Sequence, residues 1–191
     1  MWRGDRLNVS EIASKGQLRL AFLRWAVVTV PFVLLLGFTA GRSVPTGSEN
    51  RWYQALAKPD VTPPDWVFPV AWTTLYVLLG LALAMIINAR GSRRVAALAL
   101  FAVQLVLNLA WTPIFFGAHL VAVATYVIAA MWLAAVATTL LFGRIRSPAA
   151  WLMVPYLVWI SFAGVLTWRI DQLNPHAEAL APAPASSQMI E

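Results

Sequence analysis

Apolar and polar positions alternate along this chain in long blocks. After a mixed polar stretch at residues 1–19, apolar residues dominate five runs, at about Leu20–Ala40, Asp65–Asn88, Val95–Phe116, Leu120–Phe142 and Ala149–Ile170. Each is close to the roughly 20 residues that an α-helix needs to cross the hydrocarbon core of a bilayer. The pattern predicts an all-α fold, an integral membrane bundle of five transmembrane helices. The first run is long for the apolar region of a signal peptide, and no A-x-A-like site follows it. It therefore reads as an uncleaved span.

The connections differ in kind. Gly41–Pro64 is the longest polar interval between spans, and Trp52-Tyr53 in its middle predicts a structured loop. Pro63-Pro64-Asp65 is a helix start signal for the second span. Basic Arg90–Arg94, the turn Gly117-Ala118-His119 and Gly143–Pro148 make the remaining links. The stretch Asn174–Glu191, rich in Ala, Pro and Ser, is expected to be disordered. Three segments follow: a polar extension at 1–19, a membrane domain at 20–171 and a tail at 172–191.

Composition agrees with this division. The 191 residues are 60% hydrophobic and 12% charged, with a mean hydropathy of +0.70. Soluble domains run at about 45–50% apolar and about 25% charged, so a soluble globular class is excluded. Cysteine is absent, which removes disulfides, thiol catalysis and thiolate metal sites together. The net charge of +6 gains meaning from its placement. With five spans, ten of the fourteen basic residues fall on the side of the N-terminus (residues 1–24, 90–94 and 144–146); Arg42, Arg51, Lys58 and Arg169 fall on the other. By the positive-inside rule the N-terminus is cytoplasmic and the long first loop lies outside, in a bacterial cell membrane. The basic residues thus encode topology and call for no nucleic-acid partner.

Few polar side chains lie at membrane depth. Gln104 and Asn108, four apart, share a helical face, with Trp111 three further on. An unpaired amide in hydrocarbon is costly, so both amides face the bundle interior. There they either join helices by hydrogen bonds or offer a polar contact to a ligand. Trp72 and Tyr76 are four apart on the second span, and Tyr156, Trp159 and Ala163 recur on one face of the fifth. Periodicity leaves Trp72 and Trp159 open between packing and a cavity wall. Trp66, Trp151 and Trp168 stand near span ends, where indoles favour the membrane–water interface. Pro69, Pro113 and Pro155 are expected to interrupt three helices and open space between them. Gly37-x-x-x-Gly41 allows close helix approach. No span has Asp, Glu or Lys at its centre, and His119 and His176 lie outside the spans. No metal site, proton relay or hydrolytic constellation is visible.

Three blocks make the chain recognisable. Trp52-Tyr53 through Lys58-Pro59 is followed by Pro63-Pro64-Asp65-Trp66-Val67-Phe68-Pro69-Val70-Ala71-Trp72 and Tyr76. Gln104, Asn108, Trp111 and Phe115-Phe116 come next, then Trp151, Pro155-Tyr156 and Trp159. In order and spacing over about residues 20–171 they resemble the TspO/MBR family, the tryptophan-rich sensory proteins related to the mitochondrial translocator protein. The resemblance implies a five-helix bundle, commonly a homodimer in membrane lipid. It implies a receptor or carrier that binds tetrapyrroles such as protoporphyrin IX as ligand, with no obligatory cofactor. In some members cholesterol or benzodiazepine-type compounds bind.

Carried onto matching positions, the ligand site comprises Tyr53, Trp72, Asn108, Tyr156, Trp159 and Ala163. Trp72 and Trp159 would flank a flat ligand by stacking, and loop 41–64 would act as a lid. An alternative the family also implies is light-dependent porphyrin breakdown, with Trp72 and Trp159 as candidate catalytic residues. A sterol-binding or structural membrane subunit is a further alternative. Val61 stands where the family usually has an aromatic, and Trp168 stands where the animal sterol motif needs Tyr. Sterol is therefore the weaker ligand candidate.

Overall fold

A computed structural model of the protein describes residues 15–180. Its helices are α1 (Lys15–Gly41), α2 (Arg51–Ala55), α3 (Val67–Ile87), α4 (Arg94–Thr112), α5 (Val121–Gly143) and α6 (Ser147–Leu173). Among the described residues, five segments are long and apolar enough to cross a membrane: Leu20–Gly41, Val67–Ile87, Arg94–Gly117, Val121–Gly143 and Ser147–Leu173. Apolar side chains are exposed along their outer faces, among them Val27, Leu35, Val106, Tyr126 and Val158. Water would penalise that surface, and lipid does not. The chain is an integral membrane protein. Trp66, Trp151 and Trp168 are exposed near span ends, as expected.

Around the bundle, α1 packs on α3, α3 on α6, α6 on α5 and α5 on α4, with α4 closing against α1 and α3. The α1–α3 crossing is close because of small residues. A Cβ built on Gly80 would stand 2.6 Å from the Val30 Cα. The bare Gly80 backbone also lets the Thr29 hydroxyl donate to the Gly80 carbonyl at 2.7 Å, across the helix pair. Gly37 does the same for a side chain, since its Cβ would fall 2.1 Å from the Tyr76 ring. The close approach expected at Gly37-x-x-x-Gly41 thus occurs within the chain at Gly37, and Gly41 has no neighbour within 4 Å on that side.

The prolines behave differently from one another. Pro155 lies inside α6, as expected, and Pro31 lies inside α1, which the sequence reading passed over. Pro113 ends α4 and opens a π-helical turn, Pro113–Gly117. Pro69 interrupts nothing. It sits in the first turn of α3, where a backbone N–H has no intrahelical acceptor to lose.

The long first loop is structured, as its aromatic pair predicted. Asn50 accepts from the Tyr53 N–H at 3.0 Å and so caps α2. Its amide also donates to Pro45 O at 2.9 Å and to Phe116 O at 3.0 Å. One buried side chain thus starts a helix and ties the loop to the π turn that follows α4. The tail departs from the expected disorder at its start. Ala177–Leu180 forms a 3-10 turn, and Ala177 is buried beneath the first loop. The N-terminal extension and the residues after 180 lie outside the described residues, apart from the start of α1.

Candidate functional site

A cavity of about 450 Å³ opens among the spans beneath the first loop. Aromatic rings form much of its apolar wall: Phe68 and Trp72 from α3, Trp111 from α4, Phe115 and Phe116 from the π turn, and Trp159 from α6. Tyr53 enters from α2, while Thr46, Gly47, Ser48 and Glu49 of the loop close one end beside Arg42 and Asp65. Asn108 reaches the cavity from α4 and Ala163 from α6. Five of the six expected site residues therefore meet in one space.

The sixth stands behind it. Tyr156 is fully buried and does not line the cavity. Its hydroxyl oxygen accepts from the Asn108 amide at 3.3 Å, and Tyr76 donates its hydroxyl to Asn108 Oδ1 at 3.0 Å. Asn108 thus does both things left open for it, joining α3, α4 and α6 by hydrogen bonds and presenting a polar edge to the cavity. Gln104, one turn away on the same face, is fully buried, and neither end of its amide has a partner among the described residues.

The two central indoles depart from the expected arrangement. Trp72 and Trp159 lie 6.4 Å apart between ring centroids with their planes at 85°, edge to face. Carbon atoms pack at about 3.5–4.0 Å, so a flat ligand between two rings needs parallel planes about 7–8 Å apart. The pair is therefore one continuous corner of wall, and no sandwich is preformed. Trp72 stacks instead on Tyr76 (5.4 Å, 26°), and Phe68 meets Trp159 edge-on at 5.9 Å. On the opposite side Trp111 stacks on Phe115 at 4.9 Å. The indole N–H groups of Trp111 and Trp159 are buried without an acceptor among the described residues.

Comparison with known proteins bears on this architecture directly. A model of the TspO/MBR family matches residues 27–173. The chain belongs to the TspO/MBR family. It is 40% identical over 160 residues to the tryptophan-rich sensory protein of Cereibacter sphaeroides, covering 80% of this chain and all of that one. It is 39% identical over 138 residues to protein CrtK of Rhodobacter capsulatus, covering 71% and 86%. It is also 39% identical over 153 residues to the translocator protein of Bos taurus, covering 78% and 90%. The TspO/MBR match spans every wall of the cavity and stops at the end of α6.

In the first loop, the Lys58 ammonium sits 4.7 Å from the centre of the Tyr53 ring. Burial pushes the Tyr53 phenol up from its ordinary range, and the nearby Asp65 charge adds to the effect. Burial lowers the Lys58 ammonium, with Asp65 opposing. Asp65 itself accepts from the Ser48 N–H at 2.7 Å and holds the loop to the start of α3. Sequence reasoning named Trp111 and the Phe115-Phe116 pair without placing them in the site. It missed Asn50, whose position three residues before Tyr53 is a capping signal.

Proposed function

We propose that this TspO/MBR protein is a membrane receptor or carrier that binds tetrapyrroles such as protoporphyrin IX in the aromatic cavity. The observation that carries the reading is the cavity itself: about 450 Å³, with indole and phenyl rings in its walls, a polar edge at Asn108 and a charged end at Arg42, Glu49 and Asp65. That volume lies within the roughly 300–1,000 Å³ of small-molecule sites, and mostly apolar walls with few polar groups are their usual composition. Each ring that stacks on a flat ligand adds about 0.5–1.5 kcal/mol beyond area burial.

With no histidine or cysteine among the lining residues, a tetrapyrrole is held here by shape, stacking and polar contacts, at Asn108 on one edge and at Arg42 at the polar end. Entry requires Trp72 or Trp159 to rotate, or the ligand to lie along one face of their corner. The names of the relatives speak of sensing and of translocation, and a bound ligand serves either role. Charge placement assigns the N-terminus to the cytoplasm of a bacterial cell and the first loop to the outside.

Thermal unfolding of the purified protein with protoporphyrin IX, haem or cholesterol tests the reading. Binding to the folded state raises the unfolding temperature with ligand concentration. A rise with protoporphyrin IX that exceeds any rise with cholesterol is expected. No rise with either tetrapyrrole overturns the assignment.

A further inference from the structure

The geometry points to Asn174 as a positioning residue. With Ala177, it fastens the first loop over the cavity and so sets how readily the site opens. This rests on the reading that the cavity takes a ligand, and it concerns residues beyond the family match, which ends at 173.

The contacts are specific. Asn174 Oδ1 accepts from the Ala57 N–H at 2.9 Å, and its amide donates to Ala57 O at 2.8 Å. The side chain thus pairs with both backbone groups of one loop residue, as a neighbouring strand would. The same amide bonds Ile170 O at 2.8 Å, so Asn174 is anchored to the last turn of α6. Three residues on, Ala177 O accepts from the Trp52 indole N–H at 2.8 Å, where both residues are buried. Trp52 also packs its ring against His119 of the α4–α5 connection, with centroids 4.5 Å apart.

Trp52 and Tyr53 are consecutive in α2, and a five-residue helix has little stability of its own. Trp52 faces the tail and the His119 turn, whereas Tyr53 lines the cavity. Fixing one fixes the other. The opening that releases Tyr53 from the cavity must break the Asn174–Ala57 pair and the Trp52–Ala177 bond, because both hold the element that moves. Local opening of this kind has its own free energy, separate from global unfolding. The C-terminal end of α6 therefore governs the rates of ligand entry and exit, while the walls that set affinity stay in place.

The test uses the full-length protein in detergent, with Asn174→Ala and Trp52→Phe. The first removes all the side-chain bonds; the second removes the indole donor together with part of the buried ring that packs on His119 and Phe115. Hydrogen exchange of residues 47–58 without ligand is the first readout. Exchange should rise roughly tenfold or more in Asn174→Ala and should also rise in Trp52→Phe, with the spans unchanged. Asn174→Asp keeps the acceptor for the Ala57 N–H and should fall between wild type and Asn174→Ala.

The second readout is protoporphyrin IX binding by stopped flow. Association and release should both accelerate in Asn174→Ala, with Kd within about threefold. Unchanged loop exchange in Asn174→Ala overturns the proposal, as does exchange raised equally in all spans. Raised loop exchange with wild-type binding rates overturns the gating role. If the wild type binds no porphyrin, the functional reading fails, and the exchange data alone decide whether Asn174 holds the loop.

Discussion

At Gly80 the backbones of α1 and α3 approach so closely that a methyl group has no room. The obstructing atom is the Val30 Cα, 2.6 Å from a built Cβ, and backbone cannot rotate aside as a side chain can. Gly80→Ala should therefore force the helices apart, weaken the Thr29–Gly80 bond, and cost about 1–3 kcal/mol or more, read as a lower thermal unfolding temperature in detergent. Gly41→Ala, with open space around it, is the matched control and should leave that temperature unchanged. Tyr76→Phe strips Asn108 Oδ1 of its donor at depth and should cost about 1–3 kcal/mol. At this scale the sequence was partly legible. The spacing of Gln104, Asn108 and Trp111 fixed an inward face, because 3.6-residue periodicity is local. The partners of Asn108 lie 32 and 48 residues away, and nothing local encodes them.

At the scale of elements, the five apolar runs correspond to the five spans with ends shifted by a few residues, the second starting at Val67 where Asp65 was expected. Long hydrophobic blocks are the most direct imprint of a bilayer on a sequence. The turn chemistry was harder to read, since Pro69 and Pro113 have the same composition signal but different positions relative to a helix end. The order of Asn174–Leu180 is not legible in Ala/Pro/Ser content, which describes what a segment can do alone. Its order comes from a loop 117 residues earlier.

The short helix α2 carries a pH signature. Burial raises the Tyr53 phenol, so its share of stability is fully present below the ordinary tyrosine value of about 10 and is lost as pH rises through the raised value. A tyrosinate absorbance titration, taken as wild type minus Tyr53→Phe, should place the Tyr53 step above about 10. A step at or below that value would mean that the loop leaves the ring in water.

At the scale of the whole molecule, an odd number of spans puts the first loop and the C-terminal end of α6 on the same side. The Asn174–Ala57 pair requires that arrangement. The bundle then brings aromatic residues from four helices and a loop around one space. Residue spacing identified which face of each helix carries them. It carried no information on the relative planes of rings from different helices, so the expected sandwich of Trp72 and Trp159 became an edge-to-face corner. Tyr156 likewise shares a helical face with Trp159 but supports the cavity from behind, through Asn108. Tyr156→Phe leaves the Asn108 amide without its acceptor and should weaken ligand binding less than removal of a wall.

The central claim is that this space binds a tetrapyrrole against Trp159 and Asn108. Titration of protoporphyrin IX in the dark, followed by quenching of tryptophan fluorescence, measures it directly. Wild type should show saturable quenching, and both Trp159→Ala and Asn108→Ala should raise Kd about tenfold, equivalent to about 1.4 kcal/mol. Quenching curves that are unchanged in both variants would contradict it.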